Sequence, residues 1–373
     1  MKLAFSTLGC PDFDWPDIYS MAKDLGFDGI EIRGLGKDIF AVRAKPFTEE
    51  ELPNTIKKLQ QLRLEIPCLS SGCCLKFADK AEENYNEIIQ YIELAAKLKT
   101  PYIRVLADLQ PQPEGEVDDE VVISSLKKLA PIAAEKGVTL LVETNGVYTD
   151  TKRLFNLLNS VGSDAVGALW DIHHPYRFAG EAPGQTIQNL GAYIKYVHVK
   201  DSVMADGKVS YRMMGEGDLP IDDFIMALRS INYNGYISLE WVKRWAPDLD
   251  DAGVVFPNFA NYMAKYLKKD TRRGRLFTNK AGTGHYVWEK YTLIDLTLPQ
   301  VLDRMVDEFP NQYAFRYITH DYTRTYAEFR DDVDTFARAL IALGVKPGDH
   351  VAIWATNVPQ WFITFWAAVK IGA

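Results

Sequence analysis

Cysteine and histidine are scarce in this chain, and positive charge is outweighed by negative. The 373 residues include four cysteines and six histidines, with Lys and Arg totalling 42 against 50 Asp and Glu. Cys10, Cys68, Cys73 and Cys74 show no paired C-x-x-C spacing, which argues against a zinc ribbon and a secreted disulfide framework, so reduced thiols packed near strand ends are expected. A formal charge of −8 offers no general attraction to nucleic acid or anionic lipid. No run reaches the roughly 18 apolar residues of a spanning helix, and the opening "MKLAFSTLGCPDFDW" turns polar too early for a signal peptide. The expectation is a cytoplasmic protein with neither a nucleic-acid nor a membrane partner. Histidine is absent until "LWDIHHP", where His173 and His174 follow Asp171 at the end of an apolar run.

What the chain does have is alternation. With 47% apolar residues it can fill a large core. From the start to about residue 268, eight short β-rich runs alternate with helical segments: "KLAFST" at Lys2, "GIEIR" at Gly29, "LEIPCLS" at Leu64, "PYIRVLA" at Pro101, "VTLLVET" at Val138, "VGALWD" at Val166, "IKYVHVKD" at Ile194 and "GYISLEW" at Gly235. Between them lie segments such as "YNEIIQYIELAAKLK", apolar at helical spacing, with Gly or Asn stops in "DLGFDG", "EKGVT" and "INYNGY". Eight such units in roughly 265 residues fit a (β/α)8 TIM barrel, spanning residues 1–268, better than an open doubly wound sheet.

Beyond it the character changes. Residues 269–290 are basic and glycine-bearing without apolar period, and read as a linker. A small, incomplete α/β segment follows over 291–373. One helix sets Val301, Leu302, Met305, Val306 and Phe309 on a face, and a second sets Phe329, Val333, Phe336, Ala337 and Leu340. A strand is expected at "DHVAIWA", then an apolar helix whose exposed face in "WFITFWAAVKIG" would favour aggregation or dimerisation.

In a (β/α)8 barrel the C-terminal strand ends converge on one face, where residues distant in sequence meet. Strand five ends in Glu143, strand six in Asp171, the seventh carries His198 and the eighth ends in Glu240. Any one of these alone would be read as a helix cap or half of an ion pair. Four in register form an oxygen-rich set with one nitrogen, which suits one divalent ion, Mn²⁺ or Mg²⁺, with Co²⁺ or Zn²⁺ tolerated. Without a cation the carboxylates would raise one another's pKa strongly. Lys200 and Asp201, just past His198, either support these groups by hydrogen bonding or form a strand-end ion pair. Arg33, Arg104 and Arg212 lie at or after strand ends, where they could meet a phosphate or carboxylate, and "MGEGDLP" offers glycine amides before a helix.

"VETN", "WDIHH", "YVHVKD" and "ISLEW", with the opening "FSTLGCPDFDWPDIYSMAKDLGFDGIEIR", resemble the sugar phosphate isomerase/epimerase superfamily of xylose isomerase-like TIM barrels. The resemblance implies that Glu143, Asp171, His198 and Glu240 bind one divalent metal. It also implies that Glu143 and Glu240 act as the acid/base pair. His174, in D-x-x-H spacing from Asp171, resembles the family's substrate-contacting histidine, and Arg212 resembles its substrate-contacting arginine, although the spacing from His198 is longer here. His173 is then left over, as a solvent-exposed or packing histidine. The implied reaction is isomerisation or epimerisation of a sugar or sugar phosphate: removal of the proton beside a carbonyl, through an enediolate that the metal stabilises. The barrel could pair as a homo-oligomer.

Two rivals share the scaffold. A dehydratase of the inosose or dehydroshikimate type uses the same metal and the same proton abstraction, then expels a hydroxyl. An endonuclease IV-like nuclease needs a three-metal cluster fed by additional histidines, which the sequence before His173 cannot supply. In the tail, "LPQVLDRMVDEFP", "TYAEF" and "LGVKPGDHVAIWATNVPQWFITFWAAVKIGA" resemble the N-terminal part of an AMP-binding acyl-CoA synthetase. That resemblance implies a truncated piece of a bifunctional polypeptide or an interrupted gene, with no adenylating activity of its own.

Overall fold

A computed structural model describes residues 1–266, 296–317 and 322–373. The chain divides into two units, Met1–Leu267 and Lys268–Ala373. The segment expected to link them, 269–290, lies outside the described residues, as does the expected start of the second unit at 291.

All eight β-rich runs of the first unit form strands. They are β1 (Lys2–Ser6), β2 (Gly29–Glu31), β3 (Cys68–Cys74), β4 (Tyr102–Leu106), β5 (Thr139–Glu143), β6 (Val166–Asp171) and β7 (Ile194–Val199), then, after a hairpin of β8 (Asp201–Ala205) and β9 (Lys208–Arg212), β10 (Tyr236–Leu239). The parallel order is β2-β1-β10-β7-β6-β5-β4-β3. Isolated parallel bridges Gly29–Glu65 and Ile32–Leu69 bring β2 against β3, so the ring is all but closed and the open-sheet alternative is ruled out. The third strand begins at Cys68 rather than Leu64, past Pro67, whose missing N–H cannot serve a ladder.

The surrounding helices are α1 (Trp15–Asp24), α2 (Leu52–Leu62), α3 (Ala81–Leu98), α4 (Asp119–Glu135), α5 (Thr151–Val161), α6 (His173–Ala179), α7 (Pro183–Leu190), α8 (Ile221–Ser230) and α9 (Ala252–Ala264). Their ends follow from local chemistry. Asp14 and Asp17 form a reciprocal capping box on α1, Asp150 accepts from the amides of Lys152 and Arg153 at the start of α5, and Gly162 ends that helix at φ 63°, a conformation that glycine adopts freely.

Strand periodicity then positions the site. Ala4, Cys68, Leu141, Leu169, Tyr196 and Tyr236 form one buried cluster, with Tyr102 packed against it. Tyr196 stacks on Tyr236, with ring centroids 6.2 Å apart. Glycine is required at position 29, since a β-carbon there would lie 2.9 Å from the Tyr236 ring. Two residues further along every one of these strands, on the same inward face, stand Ser6, Glu31, Ser70, Arg104, Glu143, Asp171, His198 and Ser238, all buried. An apolar floor thus carries a polar ring, which faces the C-terminal mouth.

In the second unit, α10 (Leu298–Glu308), the antiparallel pair β11 (Tyr313–Tyr317) and β12 (Tyr322–Thr325), α11 (Tyr326–Ala342) and α12 (Pro359–Lys370) surround a small core. It contains Leu302, Val306, Phe329, Val333, Ala337, Leu340, Ala367 and Ala368. Two expectations need correction. "DHVAIWA" forms no strand, because no described segment pairs with it, and Trp354 within it is fully exposed. Phe336 lies on the exposed side of α11 rather than in its core stripe. On α12, Trp361 and Phe365 stack in the open, in line with the apolar face read from the sequence. Among the described residues no helix is long and apolar enough to cross a membrane.

Candidate metal centre

Each proposed ligand reaches the barrel axis from a strand end. Glu143 and Asp171 are the last residues of β5 and β6, His198 is the penultimate residue of β7, and Glu240 follows β10 directly. Donor atoms of the four lie within 4.8 Å of one another, and all four residues are buried. A single divalent ion with ligand bonds of about 2.0–2.3 Å fits such a set.

His198 shows why the set has an orientation. Its Nε2 lies 3.0 and 2.9 Å from the two oxygens of Glu31. Glu31 in turn accepts from the hydroxyls of Ser70 at 2.6 Å and Ser238 at 2.7 Å. With Nε2–H donated to Glu31, Nδ1 is left facing inward, 3.4 Å from Glu143 Oε1, 3.4 Å from Glu240 Oε1 and 4.0 Å from Asp171 Oδ2. Among the described residues that buried Nδ1 has no hydrogen-bond partner. A nitrogen turned toward three carboxylates is tenable only around a positive charge, either a proton on the ring or a metal ion. Burial opposes the imidazolium, but Glu31 and Glu240 outweigh it and push the His198 pKa well up. The ring is thus a proton carrier or a metal ligand, and the donor chemistry fits a divalent ion.

Two further cations balance the carboxylates. Arg104 Nε lies 3.2 Å from Glu143 Oε2, and the buried Lys200 ammonium bridges Asp171 and Glu240. Burial pushes the Glu143 carboxyl up, but Arg104 and then His198 hold it well below the usual carboxylate range. Glu240 is likewise held down, against burial, by Lys200 and His198. Lys200 thus pairs with two of the proposed ligands. Asp201 touches none of them. Its carboxylate accepts from the amides of Ser202, Gly215 and Gly217 and holds the loop before α8. Arg104, considered for anion binding, is committed to Glu143 instead.

His174 is buried, with Nδ1 3.1 Å from the Thr144 carbonyl and Nε2 3.5 Å from Asp171 Oδ2, so its ring borders the ligand cluster. His173 is not exposed at all. It is a packing histidine whose Nε2 meets Ser202 Oγ at 2.9 Å, beside the ring of Tyr211. Asp171, His173 and His174 also bring donor atoms close together, with one carboxylate in place of three. Arg212 is exposed on the β8–β9 hairpin, with Nη1 bonded to Ser210 Oγ and the Tyr211 carbonyl, and is not drawn into the cluster. Its neighbour Tyr211 faces Lys200, Glu240 and Asp171 instead.

Glu31 and the clamp formed by Arg177 adjoin the site but were not expected from the sequence. The signal for Glu31 was present, as a lone carboxylate inside the apolar run "GIEIR". The run looks as if it extends to Arg33, whereas β2 stops at Glu31, so Glu31 did not read as a strand end. Arg177 donates to Ser202 Oγ and its carbonyl and pairs with Asp218, tying α6 to the arm after β7. Nothing in the sequence marked this contact.

Residues 20–256 match the xylose isomerase-like TIM barrel family, and the chain belongs to that family. Residues 302–373 match the AMP-binding enzyme family. Among solved structures, the chain is similar to the D-psicose 3-epimerase of Clostridium cellulolyticum H10, at 16% identity and TM-score 0.56 over 70% of this chain and 96% of that one. It is similar to a zinc-bound IOLI protein at 18% identity and TM-score 0.58, over 72% and 100%. It is also similar to a Bacillus anthracis protein assigned as the 3-DHS dehydratase AsbF, at 21% and 0.55, over 66% and 95%. The second unit is 33% identical over 76 residues to the mitochondrial medium-chain acyl-CoA ligase ACSF2 of Danio rerio, and 45% over 49 residues to an acetyl-coenzyme A synthetase of Streptomyces coelicolor. These matches take in 20% and 13% of this chain but only 12% and 8% of those relatives.

Proposed function

We propose that the barrel is a divalent-metal-dependent isomerase or epimerase acting on a sugar or sugar phosphate in the cytoplasm. The observation that carries this reading is the buried Nδ1 of His198, which makes no hydrogen bond to a described residue and is turned toward the carboxylates of Glu143, Asp171 and Glu240. Those four residues would hold the ion, Mn²⁺ or Mg²⁺ by the oxygen-rich donor set, with Zn²⁺ or Co²⁺ tolerated. When bound, it would supply Lewis-acid polarisation of the substrate carbonyl and the hydroxyl beside it.

The chain's own residues do the rest. Glu143 and Glu240 arise from β5 and β10, with β6 and β7 between them in the ring, and so reach a substrate at the axis from two sides. Arg104 and Lys200 hold the pKa values of Glu143 and Glu240 down, so either can accept the proton beside the carbonyl once it is ionised. Epimerisation requires the other glutamate to start protonated with substrate bound, so that it gives its proton to the opposite face while the base keeps the one it removed. Return of the removed proton by the same carboxylate to the neighbouring carbon gives isomerisation. His174 is a proposed contact to a substrate hydroxyl, through Nε2, and Arg212 a proposed contact from the hairpin.

A dehydratase reading draws on Lys200, a buried ammonium beside Glu240 that could protonate a departing hydroxyl. Both readings are tested by incubating the full chain with a ketose panel in D2O and following the products by NMR, for wild type, Glu143→Gln and Glu240→Gln. Deuterium gained beside the carbonyl with carbon skeleton and water content intact supports isomerase chemistry, and water loss supports the dehydratase. Exchange that persists in both variants sinks the two-carboxylate scheme. For residues 302–373 we propose no independent adenylation, which ATP–pyrophosphate exchange by the full chain would contradict.

A further inference from the structure

We infer that Arg33, lying against Trp245 at the mouth above the polar ring, forms a subsite for an anionic group, a carboxylate or a phosphate, on the substrate. The inference rests on the sugar-converting reading above and narrows its substrate class. Arg33 stands two residues past Glu31, beyond the end of β2, and Trp245 five residues past Glu240, so both belong to loops at the C-terminal mouth. The guanidinium carbon is 5.8 Å from the Trp245 ring centroid, and the indole is more than half exposed. Gly72 leaves room for the guanidinium, since a β-carbon there would sit 3.3 Å from Nη2.

The charge of Arg33 is uncommitted, like that of Arg244 and unlike those of Arg104, Lys200, Lys76 and Arg177. Arg104 meets Glu143, Lys200 meets Asp171 and Glu240, Lys76 meets Asp108 and Arg177 meets Asp218. Among the described residues the Arg33 guanidinium makes one hydrogen bond, from Nη1 to the Ile39 carbonyl at 3.3 Å, and forms no ion pair; the backbone N–H donates to Thr7 Oγ1. Glu87 on α3 is a facing carboxylate that attracts it from beyond ion-pair distance. Half-burial and repulsion by Arg104 pull its pKa down to about 10, so it stays protonated at neutral pH while its charge is poorly compensated. A planar, half-buried guanidinium that makes one hydrogen bond through its own N–H groups, beside an indole, is suited to carboxylate or phosphate oxygens. An uncharged sugar would leave it unsatisfied.

The test is isothermal titration calorimetry on the full chain with Mn²⁺ added. The probes are D-arabinitol, D-arabinonate and D-arabinitol 5-phosphate, each titrated into wild type, Arg33→Gln, Arg33→Lys and Trp245→Ala. Wild type should bind at least one anionic probe about tenfold or more tightly than the neutral polyol. Arg33→Gln should erase that preference without changing polyol binding, Arg33→Lys should keep part of it, and Trp245→Ala, a change at an exposed side chain, should weaken it. Whichever anionic probe loses more in Arg33→Gln identifies carboxylate or phosphate as the partner. Equal binding of all probes by wild type, absence of binding by both anions, or an unchanged preference in Arg33→Gln and Trp245→Ala overturns the inference. Metal content, measured on the same samples, separates the two claims: a chain that holds its ion but shows no Arg33-dependent preference contradicts this inference alone, and a chain that holds none contradicts the reading it rests on.

Discussion

Leu141 and Glu143, Leu169 and Asp171, and Tyr196 and His198 are pairs of residues two apart on one strand and facing one interior, and their energetics run in opposite directions. The lower member of each pair gains from leaving water. The upper member loses solvation and is compensated only by a partner: Glu143 by Arg104, Asp171 by Lys200, His198 by Glu31. Buried ion pairs are weak sources of stability and are often matched by apolar replacements. The floor therefore holds the barrel together, and the polar ring is held in place by it.

Removing one carboxylate of the polar ring while keeping its shape should have the largest effect. Glu240→Gln should lower proton exchange on a turned-over ketose by about 10²–10⁴-fold, seen as slowed deuterium uptake by NMR, while the barrel stays folded. In the floor the outcome reverses. Leu169→Ala removes fully buried packing and should cost about 2–5 kcal/mol in denaturant unfolding of the barrel, while the fraction that remains folded still binds metal.

A smaller effect is expected from Glu31, which touches the centre only through His198. Glu31→Gln should weaken metal binding by about 10–100-fold without abolishing it. The same histidine sets the pH dependence. Its pKa is raised in the metal-free fold, so the imidazolium persists above the ordinary value of about 6.5 and metal must displace its proton. Glu143 and Glu240 have lowered values and stay ionised. Metal affinity should thus fall as pH is lowered, with about one proton released per ion near neutrality, measurable by calorimetry in buffers of different ionisation enthalpy. The smallest effect concerns the thiols. Cys10, Cys68, Cys73 and Cys74 are buried, and burial pushes every one of them up. A thiol-reactive dye should label none of the four promptly in the folded chain and all four after unfolding.

The barrel was legible because its strands are apolar runs at regular spacing, and Glu143, Asp171, His198 and Glu240 were legible because each interrupts or closes such a run. Glu31 was hidden by a strand only three residues long, whose end the sequence does not mark. The β8–β9 hairpin was hidden because "DSVMADGKVSYR" carries a turn but pairs only with itself, outside the barrel pattern. Partner choice was the least legible of all. Arg33 and Arg104 look alike as strand-end arginines, and only the fold shows one paired with a carboxylate and the other left open. In the second unit, "DHVAIWA" has strand composition, but a strand exists only where a neighbour supplies its hydrogen bonds, and none of the described residues does.

The proposed chemistry requires a cation at the inward nitrogen of His198. Elemental mass spectrometry of the gently purified full chain, wild type beside Glu240→Gln, measures it directly. About one Mn, Mg, Co or Zn per wild-type chain, much reduced in the variant, is the predicted result. A wild-type chain that carries no metal and takes none up on addition would contradict it, leaving the polar ring as a proton-bridged ion cluster.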